Sequence, residues 1–296
     1  MGTLAVGRVK TAAIALMFSL ALVLAGTACG ERKEPTGSKV RIYPVTVQGA
    51  GERPTSLRAA PRRIVPLGAG PRRILRALGL RKRIITVNDE LVGLQLVGEI
   101  RRAHPDLIVA SESADPLDLA RASSATHAAV YVEPGESLDG VESGIDDIGL
   151  LTGRPVAARR LSGAIARARR RVAARLSGFP QVTVFVDLGS FGTVGSRSLL
   201  GDLITEARGK DIAGPAPEQG PFPLHQLVKA DPDVYVAISN SGTTLESLKR
   251  NTLAKHLQAV RKKRFGILSA RLTVAGPSVG SALVDLAKIL HPDAFK

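Results

Sequence analysis

Apolar residues recur along this chain in two rhythms. Short runs with β-branched residues, bounded by Gly, Pro or Asp, predict strands. They are RRIVPLGAG (62–70), RIITVND, HPDLIVAS, AAVYVEP (128–134), QVTVFVDLGS (181–190), DPDVYVAIS and RFGILSA (264–270). The second rhythm has helical spacing. ILRALGL places Ile74, Leu75 and Leu78 on one face with Gly79 as a stop, and LLGDLITEARG (199–209) and GSALVDLAKIL (280–290) continue the pattern. IYPVTVQGAGERPTSL alternates about a Gly-rich turn and predicts an exposed hairpin.

One phrase occurs twice. HPDLIVASES runs from His104 to Ser113 and DPDVYVAISN from Asp231 to Asn240. Each Pro disfavours helical geometry in the residue before it and so closes a helix. Each following apolar run enters a buried parallel strand. The order strand, Gly-rich loop, helix, Pro-Asp strand thus appears on both sides of the middle and predicts two similar α/β lobes. Between them, 137–179 is broken by Gly153 and Pro155 into two helices. The second carries apolar residues at 161, 165, 168, 172 and 176. From Pro155 to Leu176 it spans roughly 33 Å, a rigid rod joining the lobes. The predicted organisation is residues 1–28 as a leader, 29–44 as a tether, 45–136 as the first lobe, 137–179 as the connector and 180–296 as the second lobe.

The leader reading rests on Arg8 and Lys10, followed by the uncharged run TAAIALMFSLALVLAGTA and then Cys29, the only cysteine. A basic start, an apolar stretch and small residues before a cut are the marks of an export signal. A lone Cys at that cut resembles a bacterial lipoprotein signal, which implies lipidation of Cys29 and a chain anchored on the outer face of the cytoplasmic membrane. An uncleaved membrane anchor is the other reading.

Composition changes the picture in two ways. Aromatics make up only 3% of 296 residues and Trp is absent, which argues against a pocket with mainly aromatic walls. Cleavage before Cys29 leaves 39 basic against 26 acidic residues, a field that attracts anions. For an exported chain, anionic headgroups or an anionic small ligand fit this better than nucleic acid, although most such charges simply solvate the surface.

Three motifs carry little chemistry. GPSVG (276–280) matches the Gly-x-Ser-x-Gly elbow, but only His291 follows it and no strand remains to hold a triad, so no enzyme is expected. VPLGAGPRRIL has Arg73 in place of the third glycine of a dinucleotide fingerprint and reads as a tight strand-to-helix turn. The five histidines lack metal-ligand spacing, so neither metal nor cofactor is expected.

Two α/β lobes, a helical rod and a lipoprotein signal together resemble the substrate-binding proteins of ABC importers for iron-siderophores, haem and cobalamin, over about residues 45–292. PVTVQGAGERPTSLRAAPRRIVPLGAGPRRILRALGLRKRIITVND, RRAHPDLIVAS, IGLLTGRPVAARRL and TVGSRSLLGDLITEARGKDIAG carry the resemblance, in that order. It implies a monomer holding a ferric siderophore or cobalamin between the lobes, at the loops after the strands, and delivering it to an ABC permease and its ATPase. The expected liners are Gly70, Pro71, Asn88, Tyr131, Phe191, Arg197, Asn240 and Arg271. Arg197 and Arg271 suit carboxylate or catecholate oxygens, while Tyr131 and Phe191 read equally well as core. The resemblance implies acidic docking residues on each lobe. Arg72 and Arg73 stand at the first-lobe position, and Asp202 and Glu206 are the second-lobe candidates. The departure at Arg72 and Arg73 keeps a second reading open: an accessory lipoprotein of the same fold with a degenerate cleft.

Overall fold

Each strand alternates its side chains between two different cores. In the first sheet Ile64, Leu107, Val109 and Tyr131 face one cluster, and Val65, Leu67, Ile108 and Ala110 face another. In the second sheet Val184, Val186, Val234, Val236 and Leu268 join the same first cluster, whereas Phe185 and Tyr235 enter a third. A period-two strand buried on both faces needs a layer of packing on each side. Both sheets therefore share one central core and each keeps an outer core of its own.

This arrangement comes from a computed structural model that describes residues 42–215 and 220–296. The predicted leader and Cys29 lie outside the described residues. The elements, in chain order, are β1 (Val45–Val47), β2 (Thr55–Leu57), β3 (Ile64–Leu67), α1 (Ala69–Ala77), α2 (Gly93–Ala103), β4 (Leu107–Ser111), α3 (Pro116–Thr126), β5 (Ala129–Glu133), α4 (Leu138–Leu151) and α5 (Pro155–Arg175). They continue with β6 (Val182–Asp187), β7 (Gly192–Thr193), α6 (Leu199–Glu206), β8 (Gly209–Asp211), β9 (Gly220–Pro221), α7 (Leu224–Ala230), β10 (Val234–Ile238), α8 (Leu245–Arg250), α9 (Gln258–Arg261), β11 (Phe265–Leu268) and α10 (Val279–Leu290). The first sheet has the order β3-β4-β5 and the second β11-β10-β6-β8, all parallel. Two small antiparallel pairs, β1–β2 and β7–β9, stand apart. The fold is α/β, with two lobes joined by a continuous helix.

Both Pro-Asp phrases do the same job. His104 and Asp231 each end a helix in left-handed geometry, with φ of 42° and 40°. Pro follows, and the next Asp reaches sideways to the start of the neighbouring parallel strand. Asp106 accepts from Arg62 N and Arg63 N at 2.6 and 2.9 Å. Asp233 accepts from Thr183 N and Thr183 Oγ1 at 2.8 and 2.7 Å.

RIITVND is not a strand. Arg81–Arg83 form a 3₁₀ turn, and Ile84 makes only an isolated bridge to Ile64. Three consecutive cations cannot enter a buried ladder, so Ile85 and Val87 pack on the first lobe's outer core from the side.

α5 is one unbroken helix with Pro155 in its first turn. Its buried face is Ala158, Ser162, Ile165, Ala168 and Val172, while Leu161, expected in the stripe, is half-buried. α4 packs so closely that a Cβ on Gly149 would lie 2.2 Å from Ala158 Cβ.

Candidate functional site

The carboxyl ends of parallel strands are where loops can gather around a ligand. In the second sheet these ends are Asp187, Ile238 and Leu268. Asp187 is fully buried and accepts from Tyr235 Oη at 2.8 Å, Thr243 Oγ1 at 2.5 Å and Gly189 N at 2.8 Å. One carboxylate thus fixes the loops that follow β6 and β10. Gly189 has φ of 125°, a conformation other residues adopt only under strain.

Beyond these ends lies a cavity of about 350 Å³, lined by Leu188, Val194, Ser198, Ile238, Asn240 and Thr273, among others. Thr273 belongs to loop 269–278, which also meets the first lobe. Arg73 of α1 donates to the Arg271 carbonyl. Ala275 lies so close to Gly70 and Gly135 that a Cβ on either would approach its methyl at 3.3 and 3.2 Å. The cavity therefore adjoins the seam between lobes.

Beneath that seam sits Glu133, the last residue of β5, only 1% exposed. Its Oε2 faces Gly70 and its Cγ faces Gly144 of α4, where the missing side chains leave room for the carboxyl. Its Oε1 has no hydrogen-bond partner among the described residues. Burial, with added repulsion from Glu112, pushes the carboxyl up to about 7.

On the first lobe, Gly68 N donates to Asp89 at 2.9 Å and Arg72 pairs with the same oxygen at 2.7 Å. Burial opposes ionisation of Asp89, but these donors hold it below the ordinary carboxylate range.

The structure disperses the expected liners. Gly70 and Pro71 are buried in the first turn of α1 at the seam. Asn240 lines the cavity. Asn88 is exposed and accepts from Glu90 N. Phe191 is half-buried against the outer core of the second lobe. Arg197 is exposed, with Nε on the Pro215 carbonyl at 2.9 Å, and Arg271 is exposed.

One expectation needs correction. Tyr131 is fully buried in the central core and donates to Asp147 at 3.0 Å, so it is a core residue and lines no cleft. Asp202 and Glu206, the expected docking residues, each have a partner within the chain. Asp202 accepts from Leu138 N at 2.7 Å, at the start of α4, and Glu206 pairs with Arg169.

Sequence reasoning missed Ser198 and Thr273 in the cavity wall. Their position after strand ends was the available signal.

GPSVG is a turn into α10. β11 ends at Leu268, well before Ser278, and His291 is buried near the Arg208 carbonyl with its ring edge-on to Phe179. No strand leads directly into that serine, so the elbow geometry is not formed.

A family model described as "Periplasmic binding protein" matches residues 97–272. No curated protein matches by sequence. Among solved structures, Helicobacter pylori CeuE with Ni-His is similar at a TM-score of 0.73 and 15% identity, over 85% of this chain and 89% of that one. The vitamin B12 binding protein BtuF of Vibrio cholerae is similar at 0.67 and 16%, over 80% and 98%. An ABC-type Fe3+-hydroxamate transport protein of Saccharomonospora viridis is similar at 0.65 and 18%, over 83% and 99%.

Proposed function

Because this chain belongs to the periplasmic binding protein family, whose members hold ligands outside the cytoplasm for ABC importers, we propose that it is a lipid-anchored receptor for a ferric siderophore or a corrinoid. The observation that carries this reading is the cavity of about 350 Å³ at the carboxyl ends of β6, β10 and β11, beside the seam between lobes. Its volume lies at the lower end for small-molecule sites, which favours a compact ferric chelate over cobalamin. The ligand contacts Asn240, Ser198 and Thr273 from the second lobe, with Gly70 and Pro71 across the seam. Arg271, exposed on the loop that carries Thr273, and Arg197, next to Ser198 of the wall, are assigned to the rim, where their guanidinium groups attract an anionic chelate. Cys29 carries the lipid, and an ABC permease with its ATPase receives the ligand.

Titration calorimetry with ferric hydroxamate, ferric catecholate, haem and cobalamin tests the assignment. One-to-one binding of a ferric chelate at micromolar affinity or tighter is expected, weakened by Thr273→Trp, which fills the cavity. Absence of heat with all four ligands overturns it.

Arg72, bound to Asp89 where relatives would present an acid, together with the internal engagement of Asp202 and Glu206, favours a second reading. In it the cleft is degenerate and the protein is an accessory lipoprotein. Binding of none of the four ligands by a folded chain is its signature.

A further inference from the structure

The outer face of α5 carries charge of one sign only. The helix contains seven arginines and no acidic residue. Its inner face is fixed by burial of Ala158, Ser162, Ile165, Ala168 and Val172. Arg159, Arg160, Arg167, Arg170 and Arg171 are all exposed. At 100° per residue they fall within roughly 120° of the wheel, opposite the buried stripe, along about 18 Å of helix.

The nearby acids do not neutralise them. Asp139, Glu142 and Glu206 are taken by Arg169, which falls between Ala158 and Ser162 on the inner side of the helix. Asp146 is held by Ser162. Asp285 shares a shallow cavity with Arg171 but forms no ion pair with it among the described residues. A second cationic group stands at Arg154, the residue before α5, which with Arg76, Arg81, Lys82 and Arg83 surrounds a cavity of about 360 Å³. Val156, 58% exposed, lies on the same outer face.

We propose that this face of α5 lies against an anionic lipid surface. A small anion needs donors that converge on one point. Here the donors diverge from a convex helix and are spread along it, which matches an extended sheet of negative headgroups. Polybasic surfaces close to a bilayer bind anionic lipid in this way, and salt weakens the attraction. The inference rests on the membrane anchoring proposed above, which keeps the domain beside such a surface.

The chain has no Trp, so Val156→Trp supplies a single reporter on this face. The full chain carrying that substitution is reconstituted into vesicles with dansyl-labelled lipid, made of phosphatidylglycerol or of phosphatidylcholine. Flotation with the phosphatidylcholine vesicles reports anchoring alone. Energy transfer from the Trp reports whether the face meets the lipid. Expected is transfer at least threefold stronger on phosphatidylglycerol, abolished by half-molar salt and by replacing the five arginines with Gln, while flotation is unchanged. Equal transfer on both lipids, or transfer that survives the Gln substitutions, overturns the proposal. So does loss of the transfer to an equal charge concentration of duplex DNA, which would assign the face to nucleic acid. Loss of flotation on phosphatidylcholine, with transfer still seen on phosphatidylglycerol, refutes the anchor and leaves the face assignment standing.

Discussion

Arg169 of α5 grips Glu206 of α6 with a fork: Nε lies 2.9 and 3.0 Å from the two carboxylate oxygens, and Nη2 meets the first of them as well. The Nη1 of the same guanidinium reaches Glu142 at 2.9 Å and Asp139 on α4. One side chain thus ties three helices, and its partners, Glu206 first, hold it protonated more firmly than usual.

Arg169→Ala strands two half-buried carboxylates beside each other. The expected loss is about 2 kcal/mol of unfolding free energy, above the usual surface pair because three acids share one cation. Urea denaturation measures it. Arg169→Lys recovers less than half, because an ammonium cannot form the fork. A loss within error of zero for the Ala variant would mean that water replaces the network freely.

Gly149→Ala drives a methyl into Ala158, where a Cβ would come within 2.2 Å. The substitution gains helix propensity of about 1 kcal/mol, so a net loss isolates the clash. We expect a net destabilisation of roughly 1–3 kcal/mol. The double variant with Ala158→Gly regains most of it, and thermal melts of the single and double variants decide. A double variant no better than the single one would place the strain elsewhere.

Glu133 predicts the direction of pH dependence. In the unfolded chain it ionises near the ordinary carboxylate value, and in the fold near 7. Between those values the folded protein keeps a proton that the unfolded chain has released. The contribution is therefore complete below the unfolded value and is lost as pH rises through about 7. The full swing is on the order of 3 kcal/mol. Glu133→Gln removes it, so the variant outlasts the parent at pH 8 and loses its advantage near pH 4. Asp211, raised by burial to about 6, leaves a smaller slope of the same sign in the variant. Melting temperatures across pH 4–8 test this, and parallel curves for parent and variant would contradict it.

A continuous α5 packed on α4 and α10 resists bending, because a bend breaks backbone bonds and opens the Ile165 to Val172 stripe. Lobe rotation on ligand binding should be only a few degrees, with loops 189–197 and 271–278 adjusting instead. Small-angle scattering with and without ligand measures it. A marked fall in radius of gyration would show a hinge.

Much of the fold was legible because the signals were local. Apolar runs after Pro-Asp could only be buried strands, and the stripe ending at Leu176 could only be a long amphipathic helix. RIITVND misled because apolar content outweighed the run of three cations, Arg81 to Arg83, at its start. The site was harder. Tyr131 and Glu133 share a face of β5, but only packing against α4 shows that this face is the core. Asp202 and Glu206 look free in sequence because Leu138 and Arg169, their partners, are distant along the chain. Ser198 and Thr273 are ordinary residues that become a wall only when three strand ends converge.

The two Pro-Asp staples act at the amino ends of the strands. Asp106 and Asp233 settle which strand lies beside which before any loop at the opposite end is considered. Loops beyond Asp187, Ile238 and Leu268 can therefore be exchanged, lengthened or recoloured with charge without disturbing strand alignment. In engineering terms, ligand preference and sheet assembly sit on separate controls, and a library confined to the loop ends should return folded receptors at a high rate.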